Sequence, residues 1–303
     1  MNYSRQLWLE KALVRAVLVV GLIVSYLLLG PVLVMGEPLA PLTFLQDGVA
    51  RLGMFVGVLL GLAVLLGLLM LPARPGAALM ATLLVAGGMS LPSSPIHSLL
   101  WYRGSRIPAV YLGLMGELLL LWVLGVAAWL IILAVRRQMA RVRPGWVWSG
   151  EMPSVPLWQR RWGGNDAKEA GSKALASAGA FAAVSALVAM VGLLLLLQND
   201  LRNQVAFGLV ISFGAGSFIA NRTVGVTSQW HALLAPLIVA IVLYALAMAG
   251  DYPANSLGWA SVQVWSRPLP VDWLTFGAGG SLLGLWVSQR VAQEQALHDA
   301  AAL

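Results

Sequence analysis

A single carboxylate, Glu117, lies in the middle of the apolar stretch YLGLMGELLLLWVLG, which covers residues 111–125. An ionisable side chain inside an apolar helix is typical of an ion or proton pathway, but it also occurs in hydrogen bonds and salt bridges between helices. Both interpretations stay open at the level of sequence. Gly113, one helical turn before Glu117, leaves room for a neighbouring helix, so we expect the carboxylate to face protein rather than lipid.

Candidate partners for Glu117 are the arginines that the topology below places on the same side of the membrane. Arg51, which lies at the start of the second predicted span, is the favoured partner, and Arg103 and Arg106 are the alternatives. A protonated, neutral carboxyl is the other option. His97 lies in the same outer region and is a candidate for an extracytoplasmic ligand or ion site, although its segment also fits an interfacial amphipathic helix.

The remaining residues capable of chemistry do not form a recognisable constellation. The chain has no cysteine, which excludes disulfides, thiolate metal sites and cysteine nucleophiles, and it has only three histidines. No phosphate-binding glycine loop precedes a helix after a strand. We therefore expect no catalytic residue, no metal site and no cofactor, and the sequence does not predict an enzyme.

The amino-acid composition indicates whether the chain folds in water or in a membrane. Hydrophobic residues make up 59% of the 303 residues and charged residues only 10%, whereas soluble domains average roughly 25% charged residues. Together with several apolar runs of about 20 residues, these values predict an all-α, polytopic integral membrane protein. The first run follows a basic N-terminus and is too long for a cleavable signal, so we expect an uncleaved helix.

Eight transmembrane helices are predicted from the apolar runs. Their predicted bounds are 11–35, 49–71, 76–91, 108–135, 172–197, 204–220, 230–250 and 271–290. The third and sixth are short for a bilayer core of about 30 Å. Placing both termini in the cytoplasm puts most of the 19 Lys and Arg residues on the inside, as the positive-inside rule requires. This pattern predicts a bacterial-type cytoplasmic (inner) membrane protein.

The longest polar segment divides the chain into three parts. Residues 1–135 and 174–303 form two predicted four-helix halves, and residues 136–173 form a cytoplasmic loop rich in Trp, Arg and Pro. Its candidate contact residues are Trp146, Trp148, Trp158, Trp162, Arg160 and Arg161. Indole rings and arginines favour the lipid interface, and they also favour docking of a partner protein. We expect no nucleic acid to bind.

Small residues within the spans predict close helix packing. Gly113, Gly214, Gly216, Gly280 and Gly284 are the candidates, and the last two are four residues apart. Glycines at this spacing let two helix backbones approach closely.

These features support two functional hypotheses. The first is a helical membrane subunit with a structural or assembly role, whose partners are the lipid bilayer and other membrane subunits or a second copy of itself. The alternative is a transporter of a small solute or protons that uses Glu117, since interrupted helices expose half-helix ends that hold ions.

Overall fold

The computed structural model describes residues 3–34, 42–44, 49–103, 107–147, 167–199, 201–225, 229–249 and 266–301. The described residues are mainly helical, and no strand occurs among them. In chain order the α-helices are α1 Tyr3–Val24, α2 Gly30–Val34, α3 Val49–Leu69, α4 Pro75–Gly88, α5 Ile96–Arg103, α6 Ile107–Val142, α7 Ala167–Leu196, α8 Arg202–Val224, α9 Gln229–Ala249, α10 Pro270–Asp272 and α11 Ala278–Ala301. π-Helical turns at Ser25–Leu29 and Trp273–Gly277 join α1 to α2 and α10 to α11.

Six helical segments among the described residues are long and apolar enough to cross a membrane. They are Trp8–Leu33, Ala50–Leu69, Pro108–Val142, Ala176–Leu196, Arg202–Val224 and Gln229–Ala249. They indicate an α-helical integral membrane protein. The predicted third and eighth spans also form helices, but neither is among the six, so the count of eight and the orientation of the termini stay predictions.

Three helices extend beyond their predicted bounds. The sixth span is not short: α8 has 23 residues and ends where Gly225 adopts a left-handed conformation with φ of 70°, which glycine adopts without steric cost. The central segment is also more helical than expected. Helix α6 continues through Arg136 to Val142, and α7 begins at Ala167. Neither of these extensions contains a proline.

Helix α4 lies in the interior of the molecule. It packs against α1, α3, α6 and α11, and every residue from Gly76 to Gly88 is buried. A helix that is apolar on all sides is suited to such an environment. Its contacts with the π-helical turn Trp273–Gly277 and with α11 are close. A Cβ on Gly87 would lie 2.7 Å from the Phe276 ring of that turn, and one on Gly279 of α11 would lie 2.7 Å from Leu84.

Helix α8 packs between α7 and α11 through small residues. A Cβ on Gly216 would lie 2.5 Å from the Ser185 carbonyl oxygen, and one on Gly280 would lie 2.7 Å from the backbone of Val210. Gly284 packs directly on the backbone of Gly214. Close backbone contact of this kind favours helix association in a membrane, because it increases van der Waals packing between the helices. Gly113 is half-buried on α6.

We expect Gly284→Ala to destabilise the protein by about 1–3 kcal/mol, because the added methyl group would overlap the rigid Gly214 backbone. The measurement is the midpoint of thermal unfolding in detergent. Gly179→Ala is the matched control, since this exposed glycine on α7 has no described atom within 4 Å of a Cβ placed on it. Equal midpoints for the two variants would contradict the close packing of α8 and α11.

Candidate functional site

Glu117 is completely buried in α6. Its Oε2 atom accepts a hydrogen bond of 2.9 Å from the backbone amide of Phe44. Phe44 belongs to a short buried segment, Leu42 to Phe44, and its ring packs on Phe55 of α3 with centroids 4.8 Å apart. This hydrogen bond therefore fixes the segment against α6, because it gives a buried backbone donor its partner.

The predicted cationic partners of Glu117 remain predictions. Arg51 is half-buried at the start of α3. Arg106 and the side chain of Arg103 lie outside the described part of the chain, as does the side chain of His97, whose backbone belongs to α5.

A second buried carboxylate, Glu10, holds the N-terminal end of α4. Its Oε1 atom accepts hydrogen bonds from the Arg74 backbone amide and from Nε1 of Trp286, both 3.2 Å long. The Arg74 Nε atom lies 4.0 Å from the same oxygen, and Arg290 donates to Oε2 at 3.5 Å. Arg74 also donates to the side chain of Gln289 at 3.0 Å. We call Glu10, Arg74, Trp286, Gln289 and Arg290 the Glu10 cluster.

The Glu10 cluster extends towards its exposed edge through Glu294. Arg290 donates from Nε to the Glu294 carboxylate at 3.1 Å, and Lys11 Nζ lies 3.6 Å from the same oxygen. The hydrogen bond from Arg290 lowers the pKa of the Glu294 carboxyl below its ordinary value, and Lys11 adds to this effect. The contribution of Glu294 to stability is therefore present above its unfolded pKa and is lost as the pH falls through the lowered value.

A third buried carboxylate, Asp272, lies near the opposite end of α4. Arg202 binds it with two hydrogen bonds of 2.6 Å each, one to each carboxylate oxygen. Asp272 also accepts from the Leu269 backbone amide at 2.8 Å and from the Ser90 hydroxyl at 3.3 Å. Arg202 reaches the Ser90 carbonyl oxygen at 3.4 Å. We call Asp272, Arg202, Ser90 and Leu269 the Asp272 cluster.

Arg136 binds the turn between α3 and α4. Its guanidinium donates to the carbonyl oxygens of Met70, Leu71 and Ala73 at 2.9, 3.1 and 2.8 Å. Carbonyl groups at the end of a helix have no partner within the helix and carry partial negative charge. Arg136 therefore caps α3, while Glu10 binds the other side of the same turn.

Three serines connect α7, α8 and α11 in the interior. Ser217 of α8 shares hydrogen bonds with Ser185 of α7, at 3.1 Å, and with Ser281 of α11, at 2.5 Å. One turn further on, Asn221 donates to Ser288 at 3.0 Å. Hydrogen bonds between membrane helices add modest stability, about 0.6 kcal/mol on average, and these follow the same interface as the glycines.

Only one of the predicted docking residues falls among the described residues. Trp146 is 61% exposed, and the Arg143 guanidinium lies 4.9 Å from its ring centroid. Trp148, Trp158, Trp162, Arg160 and Arg161 lie outside the described residues.

The residues of both ion-pair clusters are not predicted as site residues from the sequence. Glu10, Asp272 and Arg202 lie at the ends or edges of predicted spans, where charged residues are ordinary. A signal is nevertheless present. Glu10 directly precedes the first predicted span, and Asp272 lies inside the eighth. An acid inside an apolar span, such as Asp272, requires a partner, but the sequence does not identify which arginine supplies it.

The comparisons with known proteins give no relative. No family model matches the chain, and no curated protein or solved structure is significantly similar to it. The fold and the buried clusters define the class of the protein, an α-helical integral membrane protein in which ion pairs hold the ends of an internal helix.

We expect Asp272→Asn to destabilise the protein by about 3–5 kcal/mol, because it leaves the buried Arg202 guanidinium without its compensating charge. Replacing the whole pair, with Asp272→Leu and Arg202→Met together, should cost less than Asp272→Asn alone. Unfolding by increasing SDS measures both. A double variant that is less stable than Asp272→Asn would argue against the ion pair as the source of the loss.

The variants Glu117→Gln and Glu117→Leu test whether Glu117 stabilises the protein as a hydrogen-bond acceptor or through its charge. We expect the Gln variant to keep the hydrogen bond from Phe44 and to unfold near the wild-type temperature. The Leu variant should lose about 1–3 kcal/mol, since it leaves a buried amide donor unsatisfied. If both variants are equally unstable, the carboxylate charge rather than its acceptor role stabilises this contact.

Proposed function

We propose that the protein is a structural subunit that assembles with another membrane protein, or with a second copy of itself, through its transmembrane helices. One observation carries this proposal. Gly53, Gly57 and Gly61 lie four residues apart on α3, all three are exposed, and no described atom lies within 4 Å of a Cβ placed on any of them.

The three glycines form one continuous face, which we call the α3 glycine face. The opposite side of α3 carries Phe55, Leu59 and Ala63, all completely buried, and α3 packs there on α4 and α6. The α3 glycine face therefore points away from the other described helices. On this helix the small residues do not serve packing within the described part of the chain.

The properties of the lipid bilayer favour the packing of a second helix on the α3 glycine face. Lipid chains are as apolar as leucine side chains, so apolar surface alone does not drive two helices together. Glycines four residues apart lower the helix surface and let a second backbone approach, which gains dispersion and weak Cα–H···O contacts. The packing of Gly284 on Gly214 and of Gly280 on Val210 uses the same device within this chain.

The buried charges favour assembly over transport. Glu10 and Asp272 bind arginines and backbone groups that hold α4 in place, and Glu117 binds the Phe44 amide. These contacts engage each carboxylate in packing. A proton relay needs acids that change partners during transport, and no contact described above favours that use.

We expect Gly57→Leu to weaken assembly by roughly tenfold or more, because a side chain in the centre of the glycine face keeps the partner backbone at a distance. The measurement has two parts. Pull-down of the tagged full-length chain from its native membrane detects a partner subunit, and exchange between differently labelled copies in nanodiscs detects self-association.

Gly179→Leu is the matched control for Gly57→Leu. It places the same side chain on an exposed membrane glycine of α7, which also has no described atom within 4 Å of a Cβ. Both variants should unfold at the wild-type temperature. The proposal is wrong if neither assay detects association of the wild-type chain, or if the two variants weaken association equally.

A further inference from the structure

A small cleft opens beside the Glu10 cluster, between the start of α4, the start of α9 and one face of α11. Its polar lining consists of Arg74, Gln229, Trp286 and Gln289, and Leu282 and Leu285 form an apolar wall. We propose that this cleft binds a phosphate group. The enclosed part has a volume of about 10 Å³, which is room for about one water-sized atom.

The chemistry of the lining favours an acceptor ligand. Arg74, Gln229 and Gln289 carry N–H groups towards the cleft, whereas the single N–H of Trp286 already donates to Glu10. None of the described residues that line the cleft carries a carboxylate. The nearest buried acid, Glu10, binds the Arg74 amide and the Trp286 indole. A cation would therefore meet donors here, whereas an oxyanion would meet groups that complement it.

The charges beside the cleft also favour an anion. Five side chains of alternating sign form a row: Arg74, Glu10, Arg290, Glu294 and Lys11. Successive N···O distances along it are 4.0, 3.5, 3.1 and 3.6 Å. The row begins and ends with a cation, so it carries one net positive charge, and its Arg74 end lines the cleft. An anion beside Arg74 would continue the alternation.

Gln229 supplies a further indication of a ligand. Its Oε1 atom is buried and accepts no hydrogen bond from any described residue, and its side chain lies directly against Gly76 at the start of α4. A flip of the terminal amide exchanges Oε1 for Nε2, so this side chain is able to donate to an oxyanion. A buried amide oxygen without a partner is costly, and a ligand or an ordered water would remove that cost.

Size and position limit the form of the ligand. The enclosed volume accepts a single oxygen of a phosphate group, while the other oxygens occupy the open mouth. The charged row ends in Lys11 and Glu294, which are partly exposed, so the cluster reaches the polar edge of the protein. Basic clefts between helices near the membrane surface suit lipid headgroups. The same donors would also bind inorganic phosphate.

The test is thermal unfolding of the delipidated full-length protein in detergent. Inorganic phosphate and short-chain phosphatidylglycerol are titrated separately, with chloride at matched ionic strength as the reference. We expect a saturable rise in the unfolding temperature. Gln229→Leu should weaken the apparent affinity at least about tenfold, as expected for loss of one charge-assisted hydrogen bond. Gln198→Leu, an exposed glutamine near the other membrane face, should behave like wild type.

The outcomes separate the sources of the phosphate. Stabilisation by the lipid alone assigns a headgroup site, and stabilisation by inorganic phosphate alone assigns a soluble ligand. Stabilisation by both, lost in Gln229→Leu, assigns a site for the group itself. No saturable effect on the wild-type protein overturns the proposal, as does equal affinity in the two glutamine variants. Phosphorus-31 NMR line broadening by the wild-type protein provides a readout that does not depend on the folding of the variant.

Discussion

Helix α4 is too short for the membrane that surrounds it. Its 14 residues extend about 21 Å at 1.5 Å per residue, whereas the hydrocarbon core is about 30 Å thick. Its two ends cannot both reach the headgroup regions. Backbone groups at these ends therefore need partners within the protein, because lipid supplies none. The positions of Glu10, Arg202 and their ion-pair partners follow from this requirement.

Each end of α4 receives the sign of charge that complements the helix dipole. A carboxylate, Glu10, accepts from the backbone amide at the N-terminal end, and a guanidinium, Arg202, lies at the carbonyl of Ser90 beyond the C-terminal end. An isolated ion in this environment would be costly, so each has an opposite charge beside it. Arg74 and Arg290 compensate Glu10, and Asp272 compensates Arg202. In the described part of the chain these ions stabilise the connections of an internal helix.

The glycines have a different role: they allow close packing between helices. Between α8 and α11 they allow two backbones to meet, since close packing replaces the hydrophobic effect in lipid. The glycines of α3 have the same spacing and face outward. Glycines four residues apart thus allow internal packing between α8 and α11, and on α3 they support the proposed assembly. The cleft at Arg74 arises from the binding of the ends of α4, because the contacts that hold the N-terminal end of this helix concentrate arginines and amide donors beside it.

The class of the protein follows from its sequence, because composition and apolar runs report directly on the solvent around the chain. The sequence also identifies Glu117 as a carboxylate inside an apolar helix and Gly280 and Gly284 as small residues one turn apart, since these patterns lie within one helix. The internal position of α4 does not follow from the sequence. The binding of Glu10 to Arg74 and Arg290 and of Arg202 to Asp272 does not follow from it either. These pairs join residues 64 to 280 positions apart. They are fixed by tertiary packing, because a charge at the end of a helix has the same local pattern whether it faces water or a buried partner.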